Sequence, residues 1–258
     1  MVTEMTRRSL LNGAAGTALG IATAQAQNPP QPAANEFLIR DAFVLTMDAA
    51  TGDLPHGDVH VRDGAIVAVG TGLTAPGAEV IEGRGMIACP GFVETHWHMW
   101  GAVARNMAGE EEKTGYFPFS RVLGSLFTPQ DNARGVRLAL AEAISSGITT
   151  VHNWSHNLLS PAYADAELAV HREVGARARF AYGYSRNTGQ NETLPLDDVA
   201  RVQRQYFSGA TGLLTLGIAS RGVENNTIDI CQKEWEFARK LGIGITTHPA
   251  PIRAAPTV

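Results

Sequence analysis

Two imidazoles one residue apart at the end of an apolar run are the feature of this chain best suited to chemistry. The run is Pro90-Gly91-Phe92-Val93-Glu94-Thr95-His96-Trp97-His98, and its apolar lead-in reads as a strand. Side chains alternate faces along a strand, so His96 and His98 project to one side and Trp97 to the other. Imidazoles placed in this way can bind one divalent ion without rearrangement of a loop. Pro90 ends the preceding segment, and Gly91 permits a tight turn ahead of the strand. A bare His-x-His is a weak signal; the Pro-Gly-Phe-Val-Glu-Thr lead-in is what makes this one specific.

With that motif the chain, from about Phe37 to His248, resembles the metal-dependent amidohydrolase superfamily, in particular its cytosine deaminase and chlorohydrolase-like branch. The resemblance implies a (β/α)8 barrel whose first strand closes on the His-x-His and binds zinc, iron or a similar ion. It also implies further groups from later strands: a histidine on strand five, another on strand six and an aspartate on strand eight. His248 closes the run Ile243-Gly244-Ile245-Thr246-Thr247-His248, the fifth strand, at the end where barrel enzymes build their sites. The expected metal ligands are therefore His96, His98 and His248, holding one divalent ion, zinc with iron as the other candidate. Such an ion brings the pKa of bound water to about 7.

Two departures from the family pattern bear on the chemistry. The branch carries a proton-handling glutamate three residues after the strand-five histidine, and here that position is Pro251, which neither gives nor accepts a proton. Strand four ends in Ser220 and Arg221 rather than in the lysine of two-metal members, which points to a single ion. The strand-eight aspartate has no counterpart, so the catalytic acid or base stays unassigned. Strand two ends in His152-Asn153-Trp154-Ser155-His156, where His156 and then Asn153 are candidates for substrate binding. Arg221 and Arg186, each just past a strand, could hold an anionic or carbonyl group. The resemblance implies a hydrolase of a non-peptide C–N bond in a cyclic amide, an amidine or an aminated heterocycle, acting on a small molecule. The competing reading is a non-catalytic, truncated or frameshifted half-barrel product.

The elements that must position these residues are legible as alternating helix and strand, the signature of parallel βα units. After the His-x-His strand come Ile148 to Asn153, Arg179 to Tyr184, Leu213 to Ile218 and Ile243 to His248. Helical patterns stand between them: Pro129 to Gly147, Pro161 to Val174, Leu196 to Phe207 and Thr227 to Leu241. The stretch from Trp100 to Phe127, with acids at 110–112 and the aromatics Tyr116, Phe117 and Phe119, reads as an insertion able to form a lid. The fold class is thus α/β, a partial (β/α)8 barrel of about five strands over 86–258. A small β-sandwich segment over 37–85 precedes it, with short strands such as Phe37-Leu38-Ile39 and Ala42-Phe43-Val44-Leu45 and a hairpin signal at Asp63-Gly64. A complete barrel takes about 250 residues, so the chain reads as an incomplete one; a homo-oligomer that closes two half-barrels is one arrangement open to it.

Composition agrees with a soluble α/β enzyme. A chain of 258 residues with 44% hydrophobic content and a net charge of −4 can bury a sizeable core and has no basic surplus for nucleic acid. Cys89 and Cys231 are too few and too far apart for a disulfide framework or zinc cluster, and each reads as a buried small hydrophobe. Thr6-Arg7-Arg8-Ser9-Leu10-Leu11, a modestly apolar run and A-x-A sites ending at Ala24 or Ala26 read as a twin-arginine leader over 1–26. Residues 27–36 then read as a linker, and the mature chain is expected to be periplasmic or secreted, with no membrane contact once the leader is gone. Replacing Arg7 and Arg8 with lysine is expected to hold the protein in the cytoplasm; cell fractionation that finds unchanged export would reject the leader.

Overall fold

A computed structural model describes residues 35–248, apart from Arg186, Asn187, Gln190, residues 209–211 and Glu224. The arginine leader, most of the linker, Arg186 and the segment after His248, with Pro251, lie outside the described residues. The chain divides into two compact units between Pro90 and Gly91.

The first unit is a mixed five-stranded sheet of β1 (Glu36–Val44), β2 (Leu54–Arg62), β3 (Ala65–Gly70), β4 (Glu79–Glu82) and β5 (Ile87–Ala88). Its order is β3-β2-β1-β4, with β5 also paired to β1. The Asp63-Gly64 turn is present, with φ of 52° and 76°, the left-handed pair that suits a tight hairpin. The two short strands expected between Phe37 and Leu45 are one strand with an irregularity. Asp41 adopts φ 56° there, and its N–H donates to Asp58 Oδ1 at 2.9 Å. His60 is buried and its Nε2 lies 2.7 Å from Glu36 Oε1. Cys89 is exposed, against expectation, whereas Cys231 is buried.

The second unit is a curled sheet of five parallel strands, in the order β10-β9-β8-β7-β6. They are β6 (Phe92–Trp97), β7 (Ile148–Ser155), β8 (Arg177–Gly183), β9 (Leu214–Ser220) and β10 (Gly244–Thr247). Helices α2 (Pro129–Ser145), α3 (Pro161–Val174), α4 (Leu196–Tyr206) and α5 (Ile228–Leu241) alternate with them, and α1 (Tyr116–Leu126) lies in the stretch after β6. The partial barrel of five strands is therefore present, and the β segment ahead of it is present as the mixed sheet. Helix α2 starts where Thr128 and Asp131 form a capping box with Pro129 in the first turn. It packs on a 3-10 helix, Met99–Ala104, so closely that a Cβ at Gly135 would stand 2.1 Å from the Trp100 carbonyl oxygen. That contact holds the chain directly after His98.

Each of three successive βα units ties a hydroxyl at its strand end to a carboxylate on the helix that follows. Ser155 Oγ donates to Glu167 Oε2 at 2.8 Å, Tyr182 Oη to Asp198 Oδ2 at 2.7 Å and Ser220 Oγ to Glu234 Oε2 at 2.8 Å. Glu167 and Glu234 are wholly buried, where an unpartnered carboxylate would cost several kcal/mol. Each is supplied with further donors. Glu167 also accepts from the side-chain amides of Asn132 and Asn153 at 2.8 and 3.0 Å, and Glu234 from the Leu194 N–H and the Tyr184 hydroxyl.

Burial still pushes the Glu167 carboxyl up to about 7, against the pull of its three donors. In the native state it therefore keeps its proton up to near pH 7, while the unfolded chain releases it near 4.5. The stability this group contributes is full below pH 4.5 and is lost as pH rises through 7. His171, buried beside it and held down to about 4, acts in the opposite sense between about 4 and 6.5, so the isolated term needs a variant. Relative to Glu167→Gln, the wild-type protein is expected to lose on the order of 3 kcal/mol of unfolding free energy between pH 4.5 and pH 7.5. Urea denaturation of both proteins across that range checks it; a pH-independent difference would refute the shifted carboxyl.

Candidate metal centre

His96 and His98 stand at the end of β6, and His248 stands one residue past β10. These strands are the two edges of the five-stranded sheet, and the curl brings their ends together. His96 Nε2 lies 3.2 Å from His98 Nε2 and 2.8 Å from His248 Nε2. The three ligand nitrogens all fall within 4.8 Å of one another. Two nitrogens sharing a tetrahedral zinc stand about 3.3 Å apart.

Proton accounting favours a cation at this point over a hydrogen-bonded cluster. His98 Nδ1 faces the Trp154 carbonyl at 3.3 Å; a carbonyl only accepts, so Nδ1 carries the proton and Nε2 is a bare lone pair. His96 Nε2 then has one proton at most for two neighbouring nitrogens. One of the two contacts would then be left without a proper hydrogen bond. A divalent ion satisfies all three nitrogens at once, and the donor set fits one.

The electrostatics leave the lone pairs available. Burial, then the neighbouring His96 and His248, holds His98 down to about 4. Burial also lowers His96, and burial followed by His96 lowers His248. All three imidazoles are neutral at pH 7, the state a metal ligand needs.

A cavity of about 560 Å³ opens over these strand ends. His98, His248, Trp154, His156, Tyr184 and Arg221 line it, and α1 adds Tyr116, Phe117 and Arg121, so the stretch expected as a lid forms part of the wall. The His156 ring lies 4.4 Å from that of His98. The Trp100 indole N–H lies 3.3 Å from His156 Nδ1, and the Trp154 carbonyl lies 3.5 Å from the same nitrogen. Arg221 donates to the carbonyls of Thr188 and Gly189, both at 3.0 Å, and lies 4.0 Å over the Tyr184 ring.

Asn153 is not in this cavity. It is wholly buried, and its amide reaches Glu167 and His171 on α3, at the opposite face of β7 from Trp154. Strand parity explains the difference, since Asn153 is one residue out of step with His152, Trp154 and His156. Trp154 and Tyr184 were not singled out from the sequence as site residues, although the parity that excludes Asn153 also selects Trp154.

No protein-family model matches the chain. It is similar to 5'-deoxyadenosine deaminase of Methanosarcina mazei, 26% identical over 222 residues that cover 83% of this chain and 48% of that protein. It is similar also to 5-methylthioadenosine/S-adenosylhomocysteine deaminase of Desulforamulus reducens, 28% identical over 227 residues, covering 84% and 49%. Among solved structures it matches an atrazine chlorohydrolase from Arthrobacter aurescens TC1 complexed with zinc, with a TM-score of 0.70, at 23% identity over 83% of this chain and 53% of that one. These similarities are to metal-dependent hydrolases and deaminases, and the solved structure shares the fold of this chain. The chain spans about half the length of the curated relatives it matches.

Zinc content measured on the wild-type protein and on a His96→Ala/His98→Ala double variant is expected to fall from near one equivalent to background. Equal metal in both would overturn the ligand assignment.

Proposed function

We propose that this chain is a metal-dependent hydrolase that acts on a non-peptide C–N bond in a deaminase-like reaction. An aminated heterocycle would exchange its amino group for the oxygen of water and release ammonia; cyclic amides and amidines present a similar electrophilic carbon. The observation that carries the reading is the convergence of three neutral imidazoles on one point in the wall of an aromatic-lined cavity. His96, His98 and His248 would hold one zinc ion, which supplies Lewis acidity and activates water near neutral pH.

The chain's own residues account for binding and orientation. Trp154, Tyr184 and the aromatics of α1 offer flat apolar walls suited to a planar ring. Arg221 is held in place by two carbonyls and by Tyr184, and its remaining N–H groups can receive an acceptor or anionic substituent. His156 lines the same wall, its ring 4.4 Å from that of His98. Export by the Arg7-Arg8 leader is part of the same proposal: the twin-arginine route carries folded proteins, which suits an enzyme that takes up its metal before export.

The test is ammonia release by the zinc-loaded protein from a panel of adenine nucleosides, cytosine, aminotriazines and cyclic amides. Turnover of at least one member is expected, abolished by chelation and restored by zinc. His98→Asn should lose more than the roughly 100-fold that a supporting residue of a metal site costs. A zinc-loaded, monodisperse protein that releases no ammonia from any amine of the panel and opens no ring would refute the reading.

A further inference from the structure

At the level of the histidines, one large side chain fills the inside of the curled sheet. Trp154 of β7 packs with Ala181 of β8 and Ala219 of β9 as one buried cluster. Those two small residues leave a trough along which the indole extends past both strands. It reaches the histidine that follows β10. The indole and His248 ring centroids lie 4.1 Å apart with their planes 38° from parallel, and the His96 ring is 4.8 Å from the indole. The backbone carbonyl of the same residue faces His98 Nδ1 at 3.3 Å. Trp154 thus touches all three histidines, and it is only 6% exposed.

We propose that Trp154 is the positioning residue of the metal centre: its indole sets the ring orientation of His96 and His248, and its carbonyl sets the tautomer of His98. The inference rests on the three-histidine reading and adds a residue that donates nothing to the ion. An imidazole at a strand end turns about two side-chain torsions, and ordering it costs free energy at the moment of binding. A rigid flat wall removes that freedom beforehand, as supporting residues do for other ligand sets. Coordination draws electrons from an imidazole ring, so its contact with the electron-rich indole face strengthens once an ion is bound. The Trp154 carbonyl meanwhile keeps the Nδ1 proton of His98 away from the nitrogen that coordinates.

A merely space-filling indole would affect stability without affecting metal affinity, and the experiment separates the two. Zinc affinity is measured by competition with a chromogenic chelator on the wild-type protein and on Trp154→Ala, Trp154→Phe and Ala219→Leu, beside far-UV circular dichroism and the visible spectrum of the cobalt(II) forms. Trp154→Ala is expected to weaken zinc by about tenfold or more and to shift the cobalt spectrum, with Phe recovering most of the loss. Ala219→Leu fills the trough and should reproduce the Ala defect with the tryptophan and every ligand still present. Cobalt(II) should quench tryptophan emission in the wild type, and Trp154→Phe should remove a large part of that quenching. Wild-type zinc affinity in a folded Trp154→Ala or Ala219→Leu overturns the proposal. Should neither variant fold, quenching that survives undiminished in Trp154→Phe overturns it instead. A wild-type protein that takes up no zinc removes the three-histidine reading, and this inference with it.

Discussion

The alternation of side chains along a parallel strand is the constraint on which the second unit depends. At the carboxyl end of each strand, one residue must face the inside of the curl and the next must face the helices. Neither direction can be left empty. Inside, the level is filled by Trp154, Ala181 and Ala219. Outside, one step away, Ser155, Tyr182 and Ser220 each meet a carboxylate of the following helix. Chemistry and anchorage are thus adjacent in sequence and opposite in direction, so a strand end cannot shift without disturbing both.

The outward anchors are an expensive choice, because a buried carboxylate loses its hydration. The fold offsets the cost with donors rather than with counter-charges: Glu167 and Glu234 accept from amides, hydroxyls and a backbone N–H, with no arginine or lysine among those donors. Such networks are directional, and they fix where a strand end sits relative to its helix more closely than apolar packing does. The apolar cores around Phe180, Leu168 and Ile218 and around Val136, Leu140 and Val151 supply the bulk of the burial. The carboxylates supply position.

Much of this was legible in the sequence, and the parts that were not share a cause. Strand and helix succession follows from local periodicity and punctuation, so β6 to β10 and α2 to α5 were found within a few residues of their ends. His96 and His98 were legible because their relation is local, and His248 because the family resemblance marks its strand end. What local pattern does not carry is direction across strands. Asn153 and His156 lie in one polar cluster, yet parity sends one to the helix layer and the other to the cavity. The reach of Trp154 depends on alanines 27 and 65 positions away, at 181 and 219, and nothing near Trp154 announces them. Cys89 failed for a simpler reason: small hydrophobic character says nothing of where a connecting segment runs.

The position of the three histidines on the two edge strands gives the candidate metal centre a second physical meaning. β6 and β10 are not hydrogen-bonded to each other, and four strand pairings separate them. Their ends nevertheless approach to 2.8 Å between His96 and His248. An ion held by both edges would close that gap with coordinate bonds in place of a ladder, and would resist any flattening of the sheet. The interior favours the same curl: Gly217 and Gly244 sit side by side in register, with the Arg179 side chain against both and no side chain of their own to force the strands apart. Small residues inside allow the curl, the tryptophan sets how far it goes at the level of the histidines, and the donor set is assembled at the place where the curl brings the edges together.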